Sequence, residues 1–197
     1  MDIHEIINNI YTMPPGSSGR LTERLSRVDY PKGHRILKAG RTETNIFFLE
    51  TGIARAFISV KGRDVTFWIG QEGSAIVSLK SYVNNRPGYE TVELMEDSSL
   101  YMLPRKDLYE LFDEDIHIAN WGRKFAESEF LRTEERLISL LFTTATERYM
   151  ELIKSNPGLL QRMSLESLAS YLGVTPVSLS RIRAGLKDNK QTPDPED

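Results

Sequence analysis

Residues 164–186 read SLESLASYLGVTPVSLSRIRAGL, and this spacing predicts two short helices joined by a tight turn. Ser164 is placed to cap the first helix. Gly173 is placed to end it, because glycine adopts the left-handed backbone that a tight turn needs. Thr175 and Pro176 suit the cap and first position of the second helix, where the missing N–H of proline costs nothing.

The side chains of this predicted helix pair divide into a packing set and a solvent-facing set. The small or apolar packing set is Leu168, Ala169, Leu172, Val174, Leu179 and Ile182. Hydroxyl and guanidinium groups suit contacts to phosphates and base edges, and arginine can pair with guanine through two hydrogen bonds. The candidate DNA contacts are Ser164, Thr175, Val177, Ser178, Ser180, Arg181 and Arg183. Arg181 is the first choice for a base contact; a chance helical hairpin and a protein-binding pair are the alternatives.

Charge supports a local DNA-binding surface. The whole chain has a formal net charge of −3. Between Leu159 and Lys187, however, the four bases Arg162, Arg181, Arg183 and Lys187 face the single acid Glu166, so four minus one gives +3. A basic segment in an acidic protein is typical of a localised nucleic-acid contact, although chance clustering is an alternative.

Composition excludes several function classes. The 197 residues contain no cysteine, which rules out disulfides, a cysteine nucleophile and cysteine-ligated clusters. The three histidines, His4, His34 and His117, are too far apart to suggest a metal site. No nucleophile–base arrangement or phosphate loop occurs, and Glu93, Glu96 and Asp97 fit solvated charges, so an enzyme is the least favoured class. No apolar run approaches the ~18 residues that a membrane-spanning helix needs, and the N-terminus does not resemble a signal peptide, which predicts a cytoplasmic protein.

The N-terminal half changes from helical to β-rich. Isoleucines at helical spacing predict a helix near 3–10, the PPGSSG stretch at 14–19 predicts a break, and a second helix is expected over 21–28. Strands are predicted at Ile46–Leu49, Ile53–Val60, Val65–Ile69, Thr91–Leu94 and Leu100–Leu103. Lys61 and Gly62 fit a hairpin turn. Regularly spaced glycines favour a small antiparallel barrel or sandwich.

Helical patterns return after Pro104. Short and long helices are predicted over 106–112 and 115–132, and the Thr133-Glu134-Glu135 segment resembles the start of another that ends near residue 156. Ile118, Trp121 and Phe125 form an apolar stripe on the long helix.

The order of these elements resembles the cyclic-AMP receptor protein/fumarate-nitrate regulator (Crp/Fnr) superfamily over residues 20–186. Matching segments include YPKG at 30–33, IFFLETG at 46–52, KGR at 61–63 and LASYLGVT at 168–175. The resemblance implies an α+β chain with a jelly-roll-type β-roll, a long helix and a helix-turn-helix. It also implies a homodimer on double-stranded DNA, with RNA polymerase a candidate partner. The units that it implies are a sensor domain at 1–112, a dimerisation helix at 113–133 and a DNA-binding domain at 134–190, and the polar tail at 191–197 is predicted to be disordered. The Ile118–Trp121–Phe125 stripe would be the dimer seam; the alternative is packing on its own β-roll.

Two departures from the family limit what the resemblance implies. The cyclic-nucleotide cassette of the family has a ribose-binding glutamate and a phosphate-binding arginine, whereas GSAIVSL at 73–79 and RPGYET at 86–91 lack both in the matching places. This argues against cyclic AMP and leaves no identified cofactor. An unknown effector could contact Ser74, Ser78, Arg86 and Tyr89; the chain could also lack a ligand.

The DNA-binding end departs as well. Pro176 and Val177 stand where the family often has an Arg-Glu pair, and only Arg181 matches a base-contacting position. Residues 160–163 are too short for the β-hairpin wing of many members, which predicts weaker non-specific DNA affinity and a shallower salt dependence. The second hypothesis is an effector-binding module whose helical end contacts a protein partner.

Overall fold

The computed structural model describes residues 1–188, so the tail predicted at 191–197 lies outside the described residues. The helices are α1 (Ile3–Ile10), α2 (Pro15–Thr22), α3 (Leu79–Asn84), α4 (Arg105–Glu114), α5 (Ile116–Phe142), α6 (Ala145–Ser155), α7 (Leu159–Arg162), α8 (Leu165–Leu172) and α9 (Pro176–Asp188). The strands are β1 (Ser26–Tyr30), β2 (Arg35–Leu37), β3 (Asn45–Thr51), β4 (Ala54–Val60), β5 (Arg63–Gly70), β6 (Ala75–Ile76), β7 (Thr91–Leu94) and β8 (Ser98–Pro104).

The strands form two four-stranded antiparallel sheets, in the orders β1-β8-β3-β6 and β2-β7-β4-β5. Apolar residues of both sheets meet in one core, including Leu49 and Leu94, which have no exposed surface. All five predicted strands are present as β3, β4, β5, β7 and β8, although β4 begins at Ala54, one residue later than predicted. The predicted hairpin turn is also confirmed, because Val60 pairs with Arg63 and both intervening residues have a positive φ. We call the two sheets together the β-roll.

The N-terminal helices differ in part from the prediction. The helix near 3–10 is confirmed, and Asp2 caps it in a capping box with Glu5. The predicted helix over 21–28 is wrong, since α2 ends at Thr22 and β1 begins at Ser26. The PPGSSG stretch begins α2 instead of breaking the chain, because Pro15 occupies the first helical position, where proline is well tolerated.

Helix α5 runs without interruption for 27 residues, so the predicted helix start at Thr133 is wrong. The Thr133 hydroxyl donates to the carbonyl of Glu129 four residues earlier, a bond that leaves the helix intact. The chain breaks at Thr143 and Thr144 instead. Thr144 caps α6 in a capping box with Glu147, a pattern that the acids after Thr133 obscured.

Helices α6 to α9 form a separate apolar core together with the β-roll. Leu159, Leu168 and Leu172 are buried there, and Ile53, the residue before β4, joins them with no exposed surface. The C-terminal helices therefore pack on the sheets of the same chain. Across residues 1–188, none of the helices combines the length and apolar character needed to cross a membrane.

Candidate nucleic-acid interface and effector cassette

The two helices predicted over 164–186 are α8 and α9, and we call them the α8–α9 pair. The Ser164 hydroxyl accepts from the backbone N–H of Ser167 at 3.2 Å, which caps α8. Gly173 ends α8 with a φ of 73°, the left-handed conformation expected of it. The Thr175 hydroxyl accepts from the N–H of Ser178 at 3.1 Å and so caps the start of α9. The predicted caps and turn are confirmed.

The packing of the pair also follows the prediction. Leu168, Ala169, Leu172 and Leu179 are almost fully buried, while Val174 and Ile182 are partly buried against them. On the other face of α9, Val177, Ser180 and Arg181 are exposed, and Ser178 and Arg183 are half-buried. The Arg181 guanidinium, an exposed cation on this face, is therefore available to a partner. Ser164 and Thr175 are exposed too, but their hydroxyls are used as helix caps.

Two arginines from outside the pair hold the turn between α8 and α9. Arg148 of α6 donates to the carbonyl of Leu172 at 3.0 and 3.2 Å. Arg136 of α5 donates to the carbonyl of Tyr171, and its guanidinium lies 3.9 Å from the centre of the Tyr171 ring. Cations suit these carbonyls because the C-terminus of a helix carries partial negative charge. Burial lowers the pKa of Arg136, and both side chains fix the turn to the long helix. No periodic pattern in the sequence indicated either role.

Arg162 does not add to the basic surface predicted from the sequence. Its guanidinium donates to Glu96 at 3.2 Å and to Glu72 at 2.6 Å, both on the β-roll. These hydrogen bonds raise the pKa of Arg162, first through Glu96 and then through Glu72. Glu93 likewise pairs with Arg55. Glu93 and Glu96, which the sequence analysis interpreted as solvated charges, are therefore ion-pair partners. We call the Glu72–Arg162–Glu96 group the latch.

A serine of α8 attaches the pair to the outer strand β5. The Ser170 hydroxyl donates to the carbonyl of Asp64 at 2.8 Å and accepts from the N–H of Thr66 at 2.8 Å. Strand β5 stands at the edge of its sheet, where backbone groups need other partners. The C-terminal helices are therefore attached to the β-roll by the latch from α7, by Ser170 of α8 and by the shared core.

The predicted dimer seam is wrong for Ile118 and Trp121. Ile118 has no exposed surface and Trp121 is only 1% exposed, because both pack in a core with Ile6, Ile7 and Phe48. The indole N–H of Trp121 donates to the carbonyl of Ile7 at 3.1 Å. Phe125 is partly buried against the same core. The stripe therefore packs on its own β-roll and N-terminal helices, which was the alternative interpretation.

The second half of α5 carries a different apolar surface, which the sequence prediction missed. Phe130 is 74% exposed and Leu141 is 65% exposed. We call this surface the seam face, and its members are Phe130, Leu131, Leu137, Ile138 and Leu141. Positions 130, 137 and 141 fall on one side of the helix at the three- and four-residue spacing of a helix-pairing stripe. The signal was in the sequence, but the misplaced helix start at Thr133 divided it.

The four predicted effector contacts do not form one pocket. Ser78 is 2% exposed, but Tyr89 and Arg86 lie on the surface. The Ser74 hydroxyl accepts from the N–H of Gln71 at 3.0 Å within a turn. A buried acid that the prediction missed, Glu90, lies near Ser78 instead. A Cβ atom added at Gly88 would approach the Ser78 hydroxyl to 2.4 Å and Glu90 Oε1 to 3.0 Å, so only glycine fits between them.

Comparison with known proteins identifies the β-roll. Residues 27–115 match the family model of the cyclic nucleotide-binding domain. FixK2 from Bradyrhizobium japonicum has a TM-score of 0.72 at 19% identity, covering 84% of this chain and 86% of that chain. A protein from Eubacterium rectale assigned to the Crp/Fnr family of transcriptional regulators gives 0.71 at 14%, covering 92% and 88%. The Catabolite Activator Protein of Thermus thermophilus gives 0.57 at 18%, covering 95% and 90%. No curated protein matches the sequence.

These matches confirm the predicted resemblance. Residues 27–115 are similar to a cyclic nucleotide-binding domain, and the structural neighbours include Crp/Fnr transcription regulators. The chain is mixed α/β with a β-roll, as predicted. At identities below 20%, the likeness to these solved structures establishes a shared fold.

The domain family implies a cyclic nucleotide, and the cassette residues do not fit one. The buried acidic side chain between residues 73 and 91 is Glu90, which is 6% exposed, and it supplies none of the positive charge that a phosphodiester anion needs. Arg86, the one arginine of the segment, is on the surface. A buried acid without a buried base is the opposite of what a phosphate requires.

Proposed function

We propose that this protein is a sequence-specific DNA-binding transcription regulator that works as a homodimer and does not respond to cyclic AMP. The observation that carries the proposal is the exposed face of α9, where Arg181 and two serines stand beside a turn held by Arg136 and Arg148. A rigidly held helix that presents hydroxyl and guanidinium groups suits the major groove of DNA. The fold shared with transcription regulators supports the same function.

The seam face supports the homodimer. Five large apolar side chains exposed on one side of a single helix exceed what a soluble monomer ordinarily leaves in water. A second copy is the fitting occupant, because the same stripe on both copies is self-complementary about a two-fold axis. Such a dimer would present two α9 helices about one DNA turn apart, roughly 34 Å, to a palindromic site.

The charge distribution predicts modest electrostatic affinity. With Arg162 engaged by the latch, Arg181 and Arg183 are the arginines left on the α8–α9 pair for phosphate contacts. Because the salt dependence of DNA binding grows with the number of phosphates neutralised, we expect a shallow slope. RNA polymerase stays a predicted partner.

The test is selection of bound fragments from sheared genomic DNA by the purified protein. The natural chain should enrich a palindrome, and Arg181→Ala should reduce that enrichment at least tenfold, since a bidentate arginine–guanine contact is worth about 1–3 kcal/mol. Arg132→Ala is the matched control, because Arg132 is exposed on α5 and pairs only with Glu129. Equal loss in both variants would contradict a role for α9.

A protein partner is the alternative occupant of α9. Val177 is an exposed apolar side chain on that face, and it would suit a protein surface as well as a thymine methyl group. Absence of DNA retention at low salt, with a folded dimeric protein, would favour that alternative. The protein would then be an effector-binding module whose helical end contacts a protein partner.

A further inference from the structure

A row of lysines and arginines follows one edge of the β-roll. Strand β2 is an outer strand of its sheet, and residues 30–42 around it contain four lysines or arginines and no acid. The loop between α3 and β7 adds a fifth cation beside them. The N–H of Gly88 in that loop donates to the carbonyl of Arg41 at 3.0 Å, and the N–H of Gly40 donates to the carbonyl of Gly88 at 2.8 Å. We call this surface the basic edge, and its members are Lys32, Arg35, Lys38, Arg41 and Arg86.

The cations of the basic edge are exposed and have no countercharge. All five are exposed, and within residues 1–188 none of them takes part in an ion pair. Glu93 lies opposite Arg35 in the sheet but pairs with Arg55. The carboxylate of Asp97 accepts the backbone N–H of Lys32 at 2.8 Å. Five like charges on one surface therefore produce a local positive potential on a chain whose net charge is −3.

Protection of the sheet edge explains only part of this charge. Charged side chains on an outer strand prevent it from pairing with other chains, and Arg35 within β2 suits that purpose. The other four cations lie outside the strand, where no row of unpaired strand backbone needs protection. A basic row that continues beyond the strand at both ends is typical of a surface that binds a polyanion.

The basic edge begins beside the C-terminal helices. Asp97, which binds the backbone of Lys32, directly follows Glu96, and Glu96 accepts from Arg162 of α7 in the latch. From Lys32 to Arg41 the chain advances nine positions, which at about 3.3 Å per residue span at most roughly 30 Å. One turn of duplex DNA is ~34 Å long. The length of the basic edge therefore suits the phosphates of about one turn of DNA.

We propose that the basic edge binds the phosphate backbone of duplex DNA outside the site that α9 reads. The α8–α9 pair supplies few cations for phosphate contacts, and the basic edge adds five per protomer. Such contacts hold DNA without reading its sequence. The regulatory meaning of this contact rests on the proposed function. The contact itself does not, because it is measured on DNA of random sequence.

The experiment measures the affinity of the full chain for a random-sequence duplex of about 60 base pairs, between about 50 and 200 mM KCl. Arg35→Gln/Lys38→Gln/Arg41→Gln removes three charges per protomer. Each lost phosphate contact reduces the slope of log K against log[KCl] by about 0.9, so the slope should become shallower by about 3 if DNA uses one edge and about 5 if it uses both edges of a dimer. At the lowest salt, affinity should fall roughly tenfold or more.

The matched control is Lys106→Gln/Arg132→Gln/Lys154→Gln, which removes the same charge from exposed positions on α4, α5 and α6. It should change the slope by less than about 1. Arg35→Lys/Arg41→Lys keeps the charge and should keep the natural slope. Equal slopes for the edge variant and its control, or a natural slope in the edge variant, would overturn the proposal and favour an acidic protein as the partner of this edge.

The palindrome recovered by selection locates the contact. A duplex cut at the palindrome should keep the shallow slope expected of α9 and should not distinguish the edge variant from the natural chain. A duplex with added flanks should show the loss, and an equal loss on both duplexes would contradict contacts outside the site. If selection failed while the edge effect on random DNA persisted, the proposed function alone would be contradicted.

Discussion

The two halves of α5 both carry large apolar residues, four in the first half and seven in the second, and use them differently. In the first half, Ile118 and Trp121 are buried in the core of their own chain. In the second half, Phe130, Leu137 and Leu141 face solvent. One continuous helix thus anchors the β-roll at one end and offers an unpartnered surface at the other.

The two surfaces lie on opposite sides of the helix. From Trp121 to Leu141 the chain advances 20 positions, which at 3.6 residues per turn places the two side chains about 200° apart. In the second half of α5, the side that was buried in the first half carries Arg136, which contacts the α8–α9 pair. One side of α5 therefore serves the folding of the chain, and the other is free for a second copy. Four substitutions test this difference.

The largest expected effect is on folding. Trp121→Ala should lower the free energy of unfolding by about 3–5 kcal/mol, because it leaves a cavity beside Phe48 and removes the hydrogen bond to the Ile7 carbonyl. Chemical denaturation measures this loss. The dimer constant of the folded fraction should stay unchanged. A Trp121→Ala protein of normal stability that cannot dimerise would reverse the assignment of the two sides.

The second prediction concerns association. Leu137→Glu should raise the dimer dissociation constant about 100-fold, or about 2.7 kcal/mol, because it buries a charge in the centre of the seam face. Sedimentation equilibrium measures this change. Val83→Glu is the matched control, since Val83 is an exposed apolar residue outside the seam face, on α3. If Val83→Glu weakened the dimer as strongly, the seam face would not be the interface.

The latch gives a smaller, pH-dependent effect. Burial alone would raise the pKa of Glu72, but the hydrogen bonds from Arg162 and from backbone N–H groups outweigh it and lower the pKa below 4.5. A lowered pKa stabilises the fold above the unfolded value and loses that contribution as the pH falls through the folded value. Glu72→Gln should therefore cost about 1.5 kcal/mol at pH 7 and progressively less below pH 4.5.

Denaturation of the two proteins between pH 3 and pH 7 measures that difference. Glu110→Gln is the control, because its carboxylate pairs weakly with Lys106 and Arg24 on the surface. A constant difference across the pH range would show that Glu72 acts by packing and not by charge.

Local signals made the α8–α9 pair predictable, and non-local packing explains most of the errors. Ser164, Gly173 and Thr175 act within their own turns, so the sequence contains the full reason for each. The burial of Trp121 depends on α1, which lies more than 100 positions away in the sequence. The periodic pattern of α5 does not indicate which of its apolar sides faces α1. Glu90 was missed because an acid at the start of a strand ordinarily faces water.

The smallest effect tests where α5 ends. Thr144→Ala should cost about 0.5–1 kcal/mol, because the hydroxyl accepts from the N–H of Glu147 at the start of α6. Thr133→Ala is the matched control: Thr133 lies inside the helix, where alanine is the better helix former, so stability should stay level or rise slightly. Urea denaturation of both variants gives the two values. A larger cost at Thr133 would indicate that a helix begins there, and the seam face would then be divided between two helices.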